Sequence, residues 1–358
     1  MTMYNFGLSN DQEQRARDLH SRAVVVDGLT FKDGIGLDYP KDLERMRSGG
    51  ISAVNYTVAH FPHGFLSALK EIERDKKRIL VNDDLCLATS VDDIHKAKKE
   101  GKIAIVLGFQ DTKPIEDDVS HLMTFSDLGV RIVQLTYNSQ NLVGVGCCER
   151  SYGGLSYFGI EVVEEMNSLG IVVDLSHCCD ETTMNAIEAS DDPVLFSHSS
   201  VRALCNAYGR NKTDEQIKAL AERGGVMGIC TFAPLVKKDP ITHVVERATV
   251  EDVMDHIDYV ARLVGPDYVG FGTDMVGKAL DQGTVPWYSS IRLWRPLRPD
   301  VFGSGPSDVY DPPPVGLERH SEFLNLTRGL VARGYSDREV LGVLGGNFLR
   351  VFRRVWKE

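Results

Sequence analysis

Long apolar runs are missing from this sequence: no stretch approaches the roughly 18 apolar residues that a membrane-spanning helix needs. Met1 to Asn10 is polar and carries no apolar signal core, so the sequence as it stands is expected in the cytoplasm. Positive charge is also scarce. Forty Lys and Arg against 51 Asp and Glu leave a formal net charge of −11, and the densest basic stretch is the short Lys96-Ala97-Lys98-Lys99. An acidic chain of this kind excludes nucleic acid and anionic membrane surfaces as expected partners. The spacing Cys-x-x-Cys is absent too. Seven cysteines include two adjacent pairs, Cys147-Cys148 and Cys178-Cys179, and neither has the spacing of zinc ribbons or redox motifs. An odd number of cysteines fits a reducing compartment. No internal repeat and no low-complexity segment is visible.

What is present is a core. Hydrophobic residues make up 42% of the 358 positions and charged residues 25%, enough apolar surface to fold without disulfides. Eight short apolar runs recur: 23–26, 52–57, 103–109, 131–137, 171–175, 194–197, 226–231 and 268–272. Most are continuous rather than alternating, the pattern of parallel strands covered on both faces. Amphipathic segments lie between them at 64–82, 116–128, 158–169, 181–190, 214–223 and 250–263. Asp180 and Thr213 read as N-caps, and Gly129, Gly170 and Gly224 stand where helices end. Eight strands, each mostly followed by a helix, predict one (β/α)₈ TIM-type barrel domain spanning 1–358, with a doubly wound open sheet as the rival. The Pro-, Gly- and Trp-rich stretch 277–314, with Trp287, Tyr288 and Trp294, reads as a long loop after the eighth strand that covers the site or buries an interface. Two closing helices are expected near 318–333 and 337–355.

In such a barrel the residues at the carboxyl ends of the strands face the active site. That selects Asp27 to Phe31 after the first strand, Gln110 and Asp111 after the third, and Thr136-Tyr137-Asn138 after the fourth. It also selects His177 after the fifth, His198 after the sixth and Asp274 after the eighth. Neighbouring parallel strands lie about 4.8 Å apart, so the two imidazoles can share one cation. Two histidines bonded to backbone are the plainer alternative. Asp274 suits a metal ligand, an ammonium partner or a general acid/base, and otherwise a cap. Arg210 suits a bidentate clamp on a carboxylate, and otherwise a solvated loop. Cys147 offers a thiolate, but no base partner can be named for it.

Several words of the sequence resemble the membrane (renal) dipeptidase family of amidohydrolase-like barrels. They are Val173-Asp174-Leu175-Ser176-His177, Phe196-Ser197-His198-Ser199, Arg202-Ala203-Leu204-Cys205, Gly209-Arg210-Asn211, Gly224-Gly225-Val226, Gly270-Phe271-Gly272-Thr273-Asp274 and Gly345-Gly346-Asn347-Phe348. The resemblance implies a two-zinc dipeptidase and a homodimer. It implies that His177 and His198 bind one metal, that Arg210 binds a substrate carboxylate, and that Asp274 contacts the substrate amine and shuttles the proton. The departures lie at the other metal. Where the family has Asp-Gly-His-x-Asp, this chain reads Asp27-Gly28-Leu29-Thr30-Phe31, and the bridging glutamate is Gln110. Tyr137 replaces the histidine that polarises the scissile carbonyl; its hydroxyl can still donate a hydrogen bond.

The expected protein is therefore a hydrolase of a small amide or dipeptide-like substrate bearing a carboxylate. It carries zinc or a similar divalent metal, one per chain or none, on His177 and His198 with Gln110 or Asp274 completing the set. Asp274 and Tyr137 are its catalytic groups, and Arg210, Tyr137 and Asn138 bind substrate. The alternatives are a small-molecule catabolic enzyme with metal-free acid/base chemistry, and a binding protein without catalysis.

Overall fold

The computed structural model describes residues 3–31, 36–150, 153–275, 281, 288–306 and 311–357. Among the described residues nine strands form one parallel sheet: β1 (Val25–Phe31), β2 (Ile51–Ala59), β3 (Leu85–Leu87), β4 (Ile103–Phe109), β5 (Val130–Gln134), β6 (Val172–Asp174), β7 (Leu195–Ser199), β8 (Val226–Ile229) and β9 (Val269–Phe271). Eight follow the path β1-β2-β4-β5-β6-β7-β8-β9. Short β3 lies off this path. It pairs with Ile103–Ile105 of β4, below the stretch Leu107–Phe109 that β5 uses, so both fit on one edge. The sequence did not mark β3, because three residues carry no readable period.

The ends of the path meet. Asp274 N donates to Leu29 O at 3.1 Å, and the Asp27 carboxylate accepts from Thr273 N at 2.8 Å and Thr273 Oγ1 at 2.6 Å. A buried side chain therefore stitches β9 to β1. The nearly closed sheet with alternating helices is the expected (β/α)₈ barrel, and the doubly wound alternative is set aside.

Helices cover the outside, and before residue 277 the sequence missed four of those described: Asn10–Arg22, Pro40–Ser48, Val91–Glu100 and the single turn Ala233–Val236. Thr213 caps its helix in a capping box with Gln216, and Gly170 ends another in the left-handed conformation, as read. Asp180 is not a cap. Cys179 holds that position and its Sγ accepts from Thr182 N, leaving Asp180 in the first turn. The stretch 277–314 is not one loop. It contains the helices Tyr288–Trp294 and Pro299–Phe302, while Trp287 and the side chain of Tyr288 lie outside the described residues.

The barrel interior divides by height. Val26, Ala53, Ala104, Val106, Ile132, Val172, Leu195 and Val226 fill its lower half, with Phe348 and Phe352 of the final helix as a plug. A Cβ at Gly28 or Gly270 would sit 2.7 Å from the Phe348 ring, so only glycine admits the plug at these two positions. The upper half is polar, with Asn55, Gln134, Asp174 and Ser197 all buried. That polarity marks the end where chemistry is possible.

Candidate active site

His177 and His198 stand just past β6 and near the end of β7, on adjacent strands, and their Nε2 atoms face each other at 2.9 Å. The hydrogen bonds behind them fix their chemistry. Asp174 accepts from Ser176 Oγ at 2.7 Å and from Ser197 Oγ at 2.5 Å. Each hydroxyl has thus spent its proton, so Ser197 Oγ, 2.7 Å from His198 Nδ1, must accept there. His198 therefore carries its proton on Nδ1 and presents a lone pair at Nε2. His177 Nδ1 lies 2.7 Å from Asn138 Oδ1 and donates to it, which leaves a second lone pair at Nε2. Two neutral imidazoles with outer nitrogens held by oxygen acceptors, aiming lone pairs at one point, form half of a divalent-metal site. Burial holds both histidines well below their usual range, and the nearby Arg210 cation adds to this, so a shared proton is disfavoured there.

The donor set fits one ion, and only in part. Among the described residues no three His, Cys, Asp or Glu side chains converge as a ligand group. Leu29 is buried and offers no donor, and the side chain of Phe31 lies outside the described residues. Gln110 spends its amide nitrogen on Thr57 Oγ1 at 2.9 Å, on the β2 side of the barrel, and its Oε1 has no hydrogen bond among the described residues.

Asp274 stands past β9 with a positive φ of 56°, and Asn138 shares that left-handed conformation at 61°. Such backbone is sparsely populated outside glycine, and it clusters at functional sites. Burial raises the Asp274 carboxyl to about 6; Arg210 opposes the shift and Asp27 adds to it. The carboxylate has no hydrogen bond among the described residues and remains half-buried, so it is available to a substrate. Arg210 is buried rather than a solvated loop residue. Its Nη1 is fixed by His198 O at 2.7 Å, Ser199 Oγ at 3.1 Å and Ser176 O at 3.2 Å, while Nε and Nη2 have no partner among the described residues. One edge of the guanidinium is anchored and the other is free for a carboxylate.

Tyr137 stacks on His177, with centroids 4.4 Å apart, and Phe61 stacks on Tyr137 at 5.2 Å. The two rings wall the imidazole pair. Asn138, expected to touch substrate, is buried behind His177 instead, where its oxygen also accepts from Cys147 Sγ at 3.3 Å.

Three further residues hold the site in place; the strand-end rule selects Asp111, while Lys212 and Ser197 carry no expected role. Lys212 is fully buried, and its Nζ donates to Leu175 O at 2.8 Å, Cys178 O at 3.1 Å and Thr183 Oγ1 at 3.2 Å. It thereby ties both ends of the turn that carries His177, and burial lowers it to about 8. Asp111 accepts from Tyr137 N at 2.9 Å and Lys113 N at 2.8 Å and so fixes the start of the Tyr137 loop. Ser197 sets the His198 tautomer. Asp111, at a strand end, and Ser197, adjacent to His198, left a trace in the sequence, and Lys212 left none.

Two facing imidazoles, a perturbed carboxylate and a half-anchored guanidinium therefore stand together at the strand ends of a parallel (β/α)₈ barrel. The chain belongs to the membrane dipeptidase family (peptidase family M19), whose model matches residues 13–284 and 302–357. Among solved structures, an amidohydrolase from Pseudomonas aeruginosa is 38% identical, with a TM-score of 0.82 over 96% of this chain and 99% of that one. The probable dipeptidase PvdM of the same organism shares the fold at 23% identity, with a TM-score of 0.78 over 98% and 99% of the two chains. Dipeptidase tcpJ of Claviceps purpurea is 32% identical over 278 residues, 77% of this chain and 56% of that protein. Mouse Dipeptidase 3 is 28% identical over 326 residues, 88% of this chain and 57% of that protein. The chain thus spans little more than half the length of these two relatives. No helix among the described residues is long and apolar enough to cross a membrane.

Proposed function

We propose that this protein hydrolyses the amide bond of a small, carboxylate-bearing substrate of the dipeptide type, with at most one divalent ion, zinc or similar, on His177 and His198. The observation that carries the reading is the pair of Nε2 lone pairs facing each other at 2.9 Å, each set by a hydrogen bond on the far side of its ring. A divalent ion held there would supply Lewis acidity toward the scissile carbonyl and the attacking water.

The chain's own residues do the rest. The free edge of Arg210 binds the substrate carboxylate in a bidentate pair, which sets the amide at a fixed distance from the imidazoles. Asp274, with its carboxyl near 6, is ionised at neutral pH; it takes a proton from the attacking water and returns it to the leaving nitrogen. Tyr137, held between Phe61 and His177, offers its hydroxyl to the carbonyl oxygen as charge develops. Gln110 replaces a charged bridge with a neutral amide, which weakens any second cation site beside it.

The test uses a dipeptide and the same dipeptide with its C-terminal carboxylate amidated. The free acid should be preferred, and Arg210→Met should raise its KM while erasing the preference. Equal turnover of both substrates by the unaltered protein contradicts the carboxylate clamp. The cytoplasmic setting and the homodimer belong to the same proposal, supported by the seven free cysteines, which fit a reducing compartment, and by the family resemblance.

A further inference from the structure

The segment after β9 reaches back to the site through one residue. Arg298 directly precedes the short helix Pro299–Phe302, which is seated by apolar packing: Ile291, Val301 and Phe302 cluster with Cys148, Ala207 and Leu235. Its Nε and Nη2 donate to the Asp300 carboxylate at 2.9 and 2.8 Å, which fixes the plane of the guanidinium. The other bonds leave this segment. Nη1 donates to Cys147 O at 2.9 Å, in the loop after β5, and Nη2 donates to Tyr208 O at 3.0 Å, in the loop after β7. These two loops touch. Gly209 has a φ of 77°, and a Cβ there would stand 2.9 Å from Cys147 O, so only glycine lets the loops meet where the guanidinium spans them.

Each loop carries a group of the site. Cys147 N donates to His177 O at 2.8 Å. Cys147 Sγ donates to Asn138 Oδ1 at 3.3 Å, the oxygen that also receives His177 Nδ1 at 2.7 Å. Cys148 N holds Asn138 O at 2.8 Å. Cys147 thus grips His177 at its backbone and, through Asn138, at its ring. Cys147 O accepts from no described group other than Arg298. In the second loop, Tyr208 stands two residues before Arg210, the carboxylate clamp. We propose that Arg298 is a positioning residue: by bridging Cys147 O and Tyr208 O it sets the His177 imidazole and the Arg210 guanidinium in register with each other. Lysine is a poor substitute, because one ammonium lacks the planar fork that reaches both carbonyls and Asp300. The use of this register in catalysis rests on the proposed hydrolysis, whereas the bridge itself does not.

The experiment reads the His177 ring directly. Nitrogen-15 NMR of the histidine side chains in the full protein, with His177 assigned through His177→Gln, reports the tautomer of that imidazole. The unaltered protein should hold the proton on Nδ1. In Arg298→Met the ring should lose that single tautomer, and its Nδ1–H should exchange faster with solvent. For a dipeptide, kcat/KM should fall about 10- to 100-fold, with KM raised through Arg210 and kcat lowered through His177. Arg298→Lys should lie between. Circular dichroism and the melting temperature confirm that each variant is folded. Two results overturn the proposal: His177 ring signals in folded Arg298→Met that match the unaltered protein, or full restoration of those signals by Arg298→Lys. Absence of dipeptide turnover in the unaltered protein would sink the hydrolase reading instead, and the ring signals would still decide the role of Arg298.

Discussion

His198 shows how a residue's chemistry is set by what lies behind it. The buried Asp174 takes the protons of two serines, so Ser197 can only accept from His198 Nδ1, and Nε2 is left as a donor of electrons. Asn138 does the same for His177, and removing an outer-shell partner of this kind commonly lowers metal affinity about 10- to 100-fold. Asn138→Ala is therefore expected to weaken zinc binding at the imidazole pair by that factor, as read by competition with a chelating dye. Unchanged affinity would mean that the amide oxygen does not orient the ring. In the proposed hydrolysis Asp274 carries the proton. Its carboxyl near 6 places the acid limb of kcat/KM close to pH 6, with activity falling as pH drops through that value and the base becomes protonated. Asp274→Asn should lower kcat by about a hundred- to ten-thousandfold while substrate binding stays measurable. A variant of full activity would remove Asp274 from the reaction. Residue types and strand ends picked out His177, His198 and Asp274 in the sequence, and the family resemblance picked out Arg210. Asn138, Ser197 and Lys212 act through contacts between strands far apart in the chain, which spacing does not encode.

The elements hold these residues in place by two devices. The first is the plug. Phe348 enters the lower barrel against Gly28 and Gly270 and is fully buried. Phe348→Ala is expected to cost about 3 to 5 kcal/mol in chemical denaturation, since the rigid strands around it cannot collapse into the void. A loss below about 1 kcal/mol would show that the plug is not part of the barrel core. The second device is Lys212, which ties Leu175 O to Cys178 O across the His177 turn. Its folded pKa of about 8 lies below the ordinary 10.5. Below pH 8 both folded and unfolded chains hold the proton, and the folded state bears the full cost of the buried charge. Between pH 8 and 10.5 the unfolded chain binds more protons than the folded one, so stability rises with pH in that window, by up to about 3 kcal/mol. Urea denaturation of the unaltered protein and Lys212→Met should show this rise only in the former. Parallel rises in both would assign it to other groups. The continuous runs of β2, β4 and β8 located the strands because parallel strands are buried on both faces. The helices Asn10–Arg22, Pro40–Ser48 and Val91–Glu100 escaped because they are rich in charge and short of apolar positions.

At the scale of the whole molecule, the barrel carries the half-site that the family resemblance assigns to His177 and His198 and departs from that resemblance in the other half. The barrel, its closure through Asp27 and Thr273, and the His177–His198 half are present, while Leu29 and Gln110 stand where the family resemblance places ligands of the other metal. The sequence disclosed this substitution directly, because the missing residues fall inside recognisable words. It did not disclose the polar upper half of the barrel or the two small helices within 288–302, which arise from packing rather than from local pattern. A dipeptidase family scaffold with a single imidazole half-site leads to one central claim: the paired histidines are the seat of an amide hydrolysis. The most direct test is the turnover of a panel of small dipeptides by the unaltered protein and by folded His198→Ala. The account expects measurable hydrolysis that falls at least about a hundredfold in the variant. Turnover unchanged in His198→Ala would contradict it.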